Sequence, residues 1–303
     1  MIAGSSHPEL ASQISKLVGL PLFPVSIARF PDGEMRVQLG GDVAGKQVFI
    51  IQSLAKQPNE LLIETLLLVD ALRRGAAAHI VLVCPYLAYS RQSVQEDRGL
   101  SVAARLFADF LKLAGVDELI TMDLHAELVK SFYDFPVEHL SARSLFVEEI
   151  KTLQVDPSEI VVVGPDLGSA KLVAKLSREL KVPLALIEKR RLDAHKVSML
   201  SLLGEVRDKI VLLADDVCST AGTLTSAASV CHEKGAKSIF AVISHGLFVE
   251  EALDRILQSP IERLFVSDSV SLDPKCLACP KIRVVSVAKL FATSLSSLKE
   301  RSV

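Results

Sequence analysis

Two adjacent aspartates, Asp215 and Asp216, open the part of this 303-residue sequence whose residue types most clearly imply chemistry. They sit in the run IVLLADDVCSTAGTLTSA, residues 210–227. The apolar, β-branched stretch ahead of them reads as a buried strand, so both carboxylates arrive at its carboxyl end, the edge where open α/β sheets bind ligands. Ser219, Thr220, Ala221, Gly222 and Thr223 then offer hydroxyls and a flexible glycine turn, and a helix is expected from about Leu224. Backbone amides at a helix start bind phosphate, and paired carboxylates suit the vicinal hydroxyls of ribose. Neighbouring carboxylates repel unless a polyol or a metal uses them. The chemistry implied is recognition of a ribose phosphate.

Other segments add charged and ligand-capable groups. RFPDGE, residues 29–34, is a Pro-Asp-Gly turn that gathers Phe30, Asp32, Gly33 and Glu34, and YLAYSRQ, residues 86–92, ends in Arg91 and Gln92. MDLHAE at 122–127 and GPDLGS at 164–169 each place one side chain, His125 and Asp166, just past an expected strand. IEKRRLDAHK at 187–196 sets Lys189, Arg190 and Arg191 at a strand end before a polar stretch, a basic flap suited to closing over anionic substrates.

These residues need a scaffold that presents them from strand ends. Apolar runs at 48–51, 80–83, 119–122, 160–163, 184–187, 210–213 and 239–243 alternate with longer segments of helical period. That alternation predicts an α/β protein with parallel sheets covered by helices. A faint repeat, AGVDELITMDLH at 114–125 and KGAKSIFAVISH at 234–245, pairs a helix-ending glycine, a strand and a histidine in each copy. The strands before them are offset by ten residues more, so the first copy should carry extra chain between strand and helix. Two related halves, 1–145 and 146–303, are expected, packed tightly enough for a site between them.

The bulk composition narrows the class. Half the residues are hydrophobic, 23% are charged, and the net charge is −2, which excludes broad disorder and an overall basic field for nucleic acid. The first eight residues show no basic n-region or apolar h-region, and no apolar run reaches about 18 residues, so a cytoplasmic protein without a membrane partner is expected. Five cysteines, an odd number, read as reduced thiols, and Cys276 and Cys279 as a CxxC within a loop rather than half a zinc site.

The 215–223 segment resembles the phosphoribosyl-pyrophosphate loop of the type I phosphoribosyltransferase fold, which by itself permits either making or consuming the activated sugar. FPDGE and the Arg91–Gln92 pair resemble the ATP-binding elements of ribose-phosphate pyrophosphokinases, also called phosphoribosyl pyrophosphate synthetases. The resemblance runs from AGSSHPELA at 3–11 to about Ser269, with the motifs in the family's order. It implies two tandem phosphoribosyltransferase-like domains, each a mainly parallel sheet flanked by helices, the first binding ATP and the second ribose 5-phosphate. It also implies Phe30, Asp32, Gly33, Glu34, Arg91 and Gln92 as ATP-binding residues, and His125 and Asp166 as ligands of Mg2+. Lys189 would stabilise the transition state, with Arg191 on ribose 5-phosphate and the transferring group. Asp215 and Asp216 would hold the sugar hydroxyls, and Ser219, Thr220, Ala221, Gly222 and Thr223 its phosphate. A homo-oligomer, a dimer-based hexamer or tetramer, is implied as well.

This sequence departs from the family pattern in three places. Ser219 stands where the sugar-phosphate loop usually has aspartate. Ser93, Val94 and Gln95 replace a D-R-K continuation after Gln92, and the last thirty or so residues match weakly. Two other readings stay open on these residues: a non-catalytic regulatory homologue, motivated by the altered stretch after Gln92, and a phosphoribosyltransferase, which needs neither FPDGE nor a second α/β half.

Overall fold

The apolar runs become the inner strands of two mainly parallel sheets in a computed structural model that describes residues 1–190 and 199–301. The chain groups into two units, one of residues 1–141, 269–271 and 286–303, the other of residues 142–268 and 272–285.

In the first unit, β1 (Ile2–Ala3), β4 (Gln47–Ile51), β5 (His79–Cys84), β6 (Glu118–Met122) and β7 (Val137–Leu140) pair in that order, all parallel. Ile50, Leu82 and Ile120 are fully buried at its centre, as near-continuous apolar strands covered on both faces should be. A separate antiparallel hairpin joins β2 (Val25–Arg29) to β3 (Met35–Leu39). The helices are α1 (Pro8–Val18), α2 (Pro58–Arg74), α3 (Ala103–Ala114) and, from the far end of the chain, α9 (Ala288–Arg301). Helix α1 packs on α9, and Leu10, Ile14 and Val18 of the one and Phe291, Leu295 and Leu298 of the other are buried.

The second unit carries the order β10-β9-β8-β11-β12-β13-β14. Its strands are β8 (Ile160–Gly164), β9 (Leu184–Arg190), β10 (Met199–Leu203), β11 (Ile210–Cys218), β12 (Ser238–Gly246), β13 (Arg263–Ser267) and β14 (Ile282–Val285). Among the described strands of this sheet only β10, at one edge, runs antiparallel to its neighbour. Helices α4 (Arg143–Lys151), α5 (Ala170–Leu180), α6 (Gly222–Glu233), α7 (Ala252–Gln258) and α8 (Pro274–Leu277) complete it.

The repeat reads out as β5-α3-β6 in the first unit and β11-α6-β12 in the second, with the extra chain of the first copy lying within residues 85–102. The helix-ending glycines of both copies, Gly115 (φ 104°) and Gly235 (φ 86°), are left-handed, a conformation that costs an L side chain about 1–2 kcal/mol. Residues 286–303, which the sequence division had put with the second half, pack in the first unit instead, because α9 has its apolar face on α1. Cys276 lies in a one-turn helix rather than a loop, and all five cysteines are buried. Among the described residues no helix is long and apolar enough to cross a membrane.

Candidate active site

The second unit builds its candidate site on β11. This strand continues past its apolar run through Asp215 and Asp216 to Cys218, because it stays paired with β12 as far as Gly246. Both aspartates are therefore held by ladder geometry rather than by a loop. Burial pushes the Asp215 carboxyl up to about 8, and the neighbouring charges of Asp216 and Asp166 push in the same direction. The amide of Asp216 donates to Asp215 Oδ1 at 3.0 Å. Asp166, at the end of β8, is half-buried and oriented by its own turn: its Oδ1 accepts from the Ser169 amide at 3.1 Å, and its carbonyl from Ser169 Oγ at 2.7 Å. Crowded carboxylates of this kind are hard oxygen donors whose repulsion a divalent cation or a polyol would relieve, and so they fit magnesium. Among the described residues no group of three or more His, Cys, Asp or Glu side chains forms a metal cage. That is compatible with an ion that keeps several waters.

Past β11 the chain turns sharply into α6, which starts at Gly222, two residues earlier than the expected Leu224. The left-handed residue of the turn is Ala221 (φ 60°), not the glycine. A non-glycine residue holds that conformation only where its surroundings fix it. Ala221 is 4% exposed, its amide donates to the Cys218 sulfur, and its carbonyl accepts from the Thr225 amide at 2.9 Å. The amides that open α6 have no partner within the helix, and donors so placed suit an anion. From outside, Arg255 Nη1 on α7 donates to the Thr220 carbonyl at 2.9 Å, and the Val249 amide donates to the Ser219 carbonyl at 3.0 Å.

The first unit holds the remaining described candidates. Phe30, Asp32, Gly33 and Glu34 form the tip of the β2–β3 hairpin, closed by the Phe30 amide donating to the Glu34 carbonyl at 2.8 Å. Gly33 (φ 97°) occupies a position where a side chain would be strained, and Phe30 is 48% exposed, a ring left open to solvent. Arg91 and Gln92 follow a turn at Tyr89 (φ 62°), with the Gln92 amide donating to the Tyr89 carbonyl at 2.9 Å. The first turn of α2 brings these two segments together: Glu60 pairs with Arg29 at the hairpin base, and Asn59 accepts from the Tyr89 hydroxyl. Further along the same helix, buried Glu64 accepts from the Ser5 amide at 2.7 Å, Ser5 Oγ at 2.5 Å and Gln52 Nε2 at 2.7 Å. His125 is exposed just past β6, and the turn before it is held by the Leu124 amide donating to His139 Nε2 at 2.8 Å. Lys189 lies in β9, in register with Leu200 of β10; Arg191 lies outside the described residues.

Comparison with known proteins places this geometry. The N-terminal domain of ribose phosphate pyrophosphokinase matches residues 1–115, and the phosphoribosyl synthetase-associated domain matches residues 173–302. The chain is 36% identical over 300 residues to a ribose-phosphate pyrophosphokinase of Burkholderia pseudomallei, spanning 99% of this chain and 94% of that one. It is 37% identical over 295 residues to that of Porphyromonas gingivalis, spanning 97% and 93%. The chain belongs to the ribose-phosphate pyrophosphokinase family. Phosphoribosylpyrophosphate synthetase from Mycobacterium smegmatis has the same fold, with a TM-score of 0.94 at 32% identity over 99% of this chain and 98% of that one.

Within this family fold the departures take on a structural setting. Ser219, where the family loop usually carries aspartate, is half-buried with its carbonyl tied to Val249, so its backbone place is fixed whatever its side chain. After Gln92, Ser93 turns inward and Val94 is 58% exposed. Arg255, His139, Asn59 and Glu60 were absent from the sequence reading. They act on backbone atoms or on neighbours of the motif residues, 15 to 35 positions away in sequence, and no local spacing marks them.

Proposed function

We propose that this protein transfers the β,γ-diphosphoryl group of ATP to the anomeric hydroxyl of ribose 5-phosphate, giving phosphoribosyl pyrophosphate and AMP for nucleotide biosynthesis. The observation that carries the reading is the β11–α6 turn, where half-buried Asp215, its neighbour Asp216 and the first amides of α6 are offered in succession. Vicinal hydroxyls donate to the two carboxylates, and the 5-phosphate accepts from the backbone at Thr220, Ala221, Gly222 and Thr223, with Ser219 beside it. In the first unit the Phe30 ring stacks on adenine, the carboxylates of Asp32 and Glu34 accept from its amino group, and Arg91 with Gln92 reaches nucleotide and phosphates.

In the reaction the anomeric oxygen forms a bond to the β-phosphorus, the bond from that phosphorus to the α,β-bridging oxygen breaks, and AMP takes the electron pair. The hydroxyl proton passes to solvent. Lys189 and Arg191 neutralise charge on the transferring group, and the chain's main task is to hold two polyanions in line. His125 and Asp166 are the residues that would hold magnesium, which when bound supplies Lewis-acid neutralisation of phosphate charge. A cytoplasmic address and a dimer-based hexamer or tetramer belong to the same reading.

The deciding experiment mixes the protein with ATP, ribose 5-phosphate and magnesium and identifies the nucleotide product. AMP appearing in step with phosphoribosyl pyrophosphate is expected. ADP would mean ordinary phosphorylation, and no turnover would leave only a binding role.

A further inference from the structure

We infer that Arg255 is a positioning residue for the ribose-phosphate turn, setting its affinity for the sugar phosphate without touching the ligand. The inference rests on the function proposed above for that turn. The Thr220–Ala221 peptide is gripped on both of its polar groups: Arg255 Nη1 donates to the Thr220 carbonyl at 2.9 Å, and the Ala221 amide donates to the Cys218 sulfur. A peptide plane has one free rotation against its neighbours at each end, so fixing both its carbonyl and its amide fixes the plane. That plane carries the left-handed Ala221 (φ 60°), whose geometry sets where the succeeding amides of Gly222 and Thr223 point.

Arg255 is itself oriented. Its Nη2 donates to Glu251 Oε2 at 3.1 Å, one helical turn before it, and its Nη1 lies 3.8 Å from where a Cβ on Gly222 would stand. The guanidinium thus lies against the turn while Glu251 holds its other arm. Lysine has the charge but not the fork, so it cannot serve the carbonyl and the carboxylate in one plane. Ala221 pays a steric cost for its conformation, and an external donor is what keeps it there.

The test is equilibrium binding of ribose 5-phosphate by calorimetry, run beside steady-state kinetics and thermal melting, for the wild type, Arg255→Lys, Arg255→Ala and Glu251→Gln. Losing a charged hydrogen bond to the turn should weaken ribose 5-phosphate binding about tenfold in Arg255→Ala. Arg255→Lys should fall between, and Glu251→Gln should show a smaller loss. The KM for ATP should stay within about twofold, and methylguanidine at millimolar concentration should restore part of the Arg255→Ala loss. If Arg255→Lys folds and binds ribose 5-phosphate as the wild type does, the inference fails. Equal weakening toward both substrates would also overturn it, since that marks general destabilisation. A wild type that binds the sugar phosphate but releases no AMP would defeat the proposed reaction and leave the role of Arg255 to be decided by the binding series alone.

Discussion

At the scale of single residues, the strongest consequence lies in the protonation of Asp215. Its folded pKa of about 8 lies above the ordinary 3.8, chiefly through burial, so the fold favours the protonated form. The stability this group contributes is therefore complete below pH ~4 and is lost as pH rises toward ~8. Asp215→Asn removes the penalty, and it is expected to stabilise the ligand-free protein by roughly 1–3 kcal/mol at pH 8 with little effect at pH 4, while turnover disappears. Urea denaturation at both pH values checks this; parallel losses in both proteins would contradict it. Lys189→Ala should lower kcat by about two to three decades with ATP affinity nearly unchanged, as expected of a cation that acts on transition-state charge. Comparable losses in kcat and in ATP binding would contradict that role. Ser219→Ala is expected to leave the KM for ribose 5-phosphate within about threefold, because in the function proposed above the phosphate accepts from the backbone of the turn, which Val249 holds. The strand-end placement of His125, Asp166, Asp215 and Asp216 was legible from sequence, since the apolar runs before them mark the strands. The residues that hold the motifs were not: His139 and Arg255 reach backbone atoms 15 and 35 positions away, and no local spacing marks such a contact.

At the scale of elements, burial on both sheet faces made the inner strands readable, because such strands are apolar throughout. Strand β11 was read as 210–213 for the same reason, since its continuation carries carboxylates and is recognised only through its register with β12. The β2–β3 hairpin escaped because it is half-exposed, as VSIAR and MRVQL have no continuous apolar run. The α6 start was placed late because a glycine was expected to make the turn, whereas a buried alanine does so with the help of its neighbours. The helix-ending glycines were readable, and one gives a direct test. In Gly115→Ala the new Cβ would stand 2.8 Å from Arg73 Nε at a backbone φ of 104°. Arg73 Nε also donates to the Gly115 carbonyl at 2.9 Å, so relief of the clash would disturb that bond. A stability loss of about 2–3 kcal/mol is expected from the strain and the displaced arginine together. A melting temperature equal to the wild type would show that the turn can rearrange freely.

At the scale of the whole molecule, the repeat suggested two consecutive halves, yet the chain returns to its first unit twice, at 269–271 and at 286–303. The sequence of α9 declares an apolar face in need of cover but not which helix covers it. Ser53 Oγ donates to the Ser269 carbonyl at 2.6 Å and Lys56 Nζ to the Ser271 carbonyl at 2.7 Å, so the first return is anchored as well. A fragment of residues 1–145 is accordingly expected to lack a cooperative melt and to bind a hydrophobic dye, and a peptide of residues 286–303 should reduce that binding. A fragment that melts as sharply as the full chain would refute this. The α1–α9 contact also fixes an order of events during synthesis. Helix α1 leaves the ribosome well before its cover, since α1 ends at Val18 and α9 begins only at Ala288, a wait of roughly ten seconds or more at about 5–20 residues per second. Through that interval the nascent chain presents an uncovered apolar stripe, a natural stopping place for a holdase chaperone, and the arrival of α9 acts as the latch that releases it.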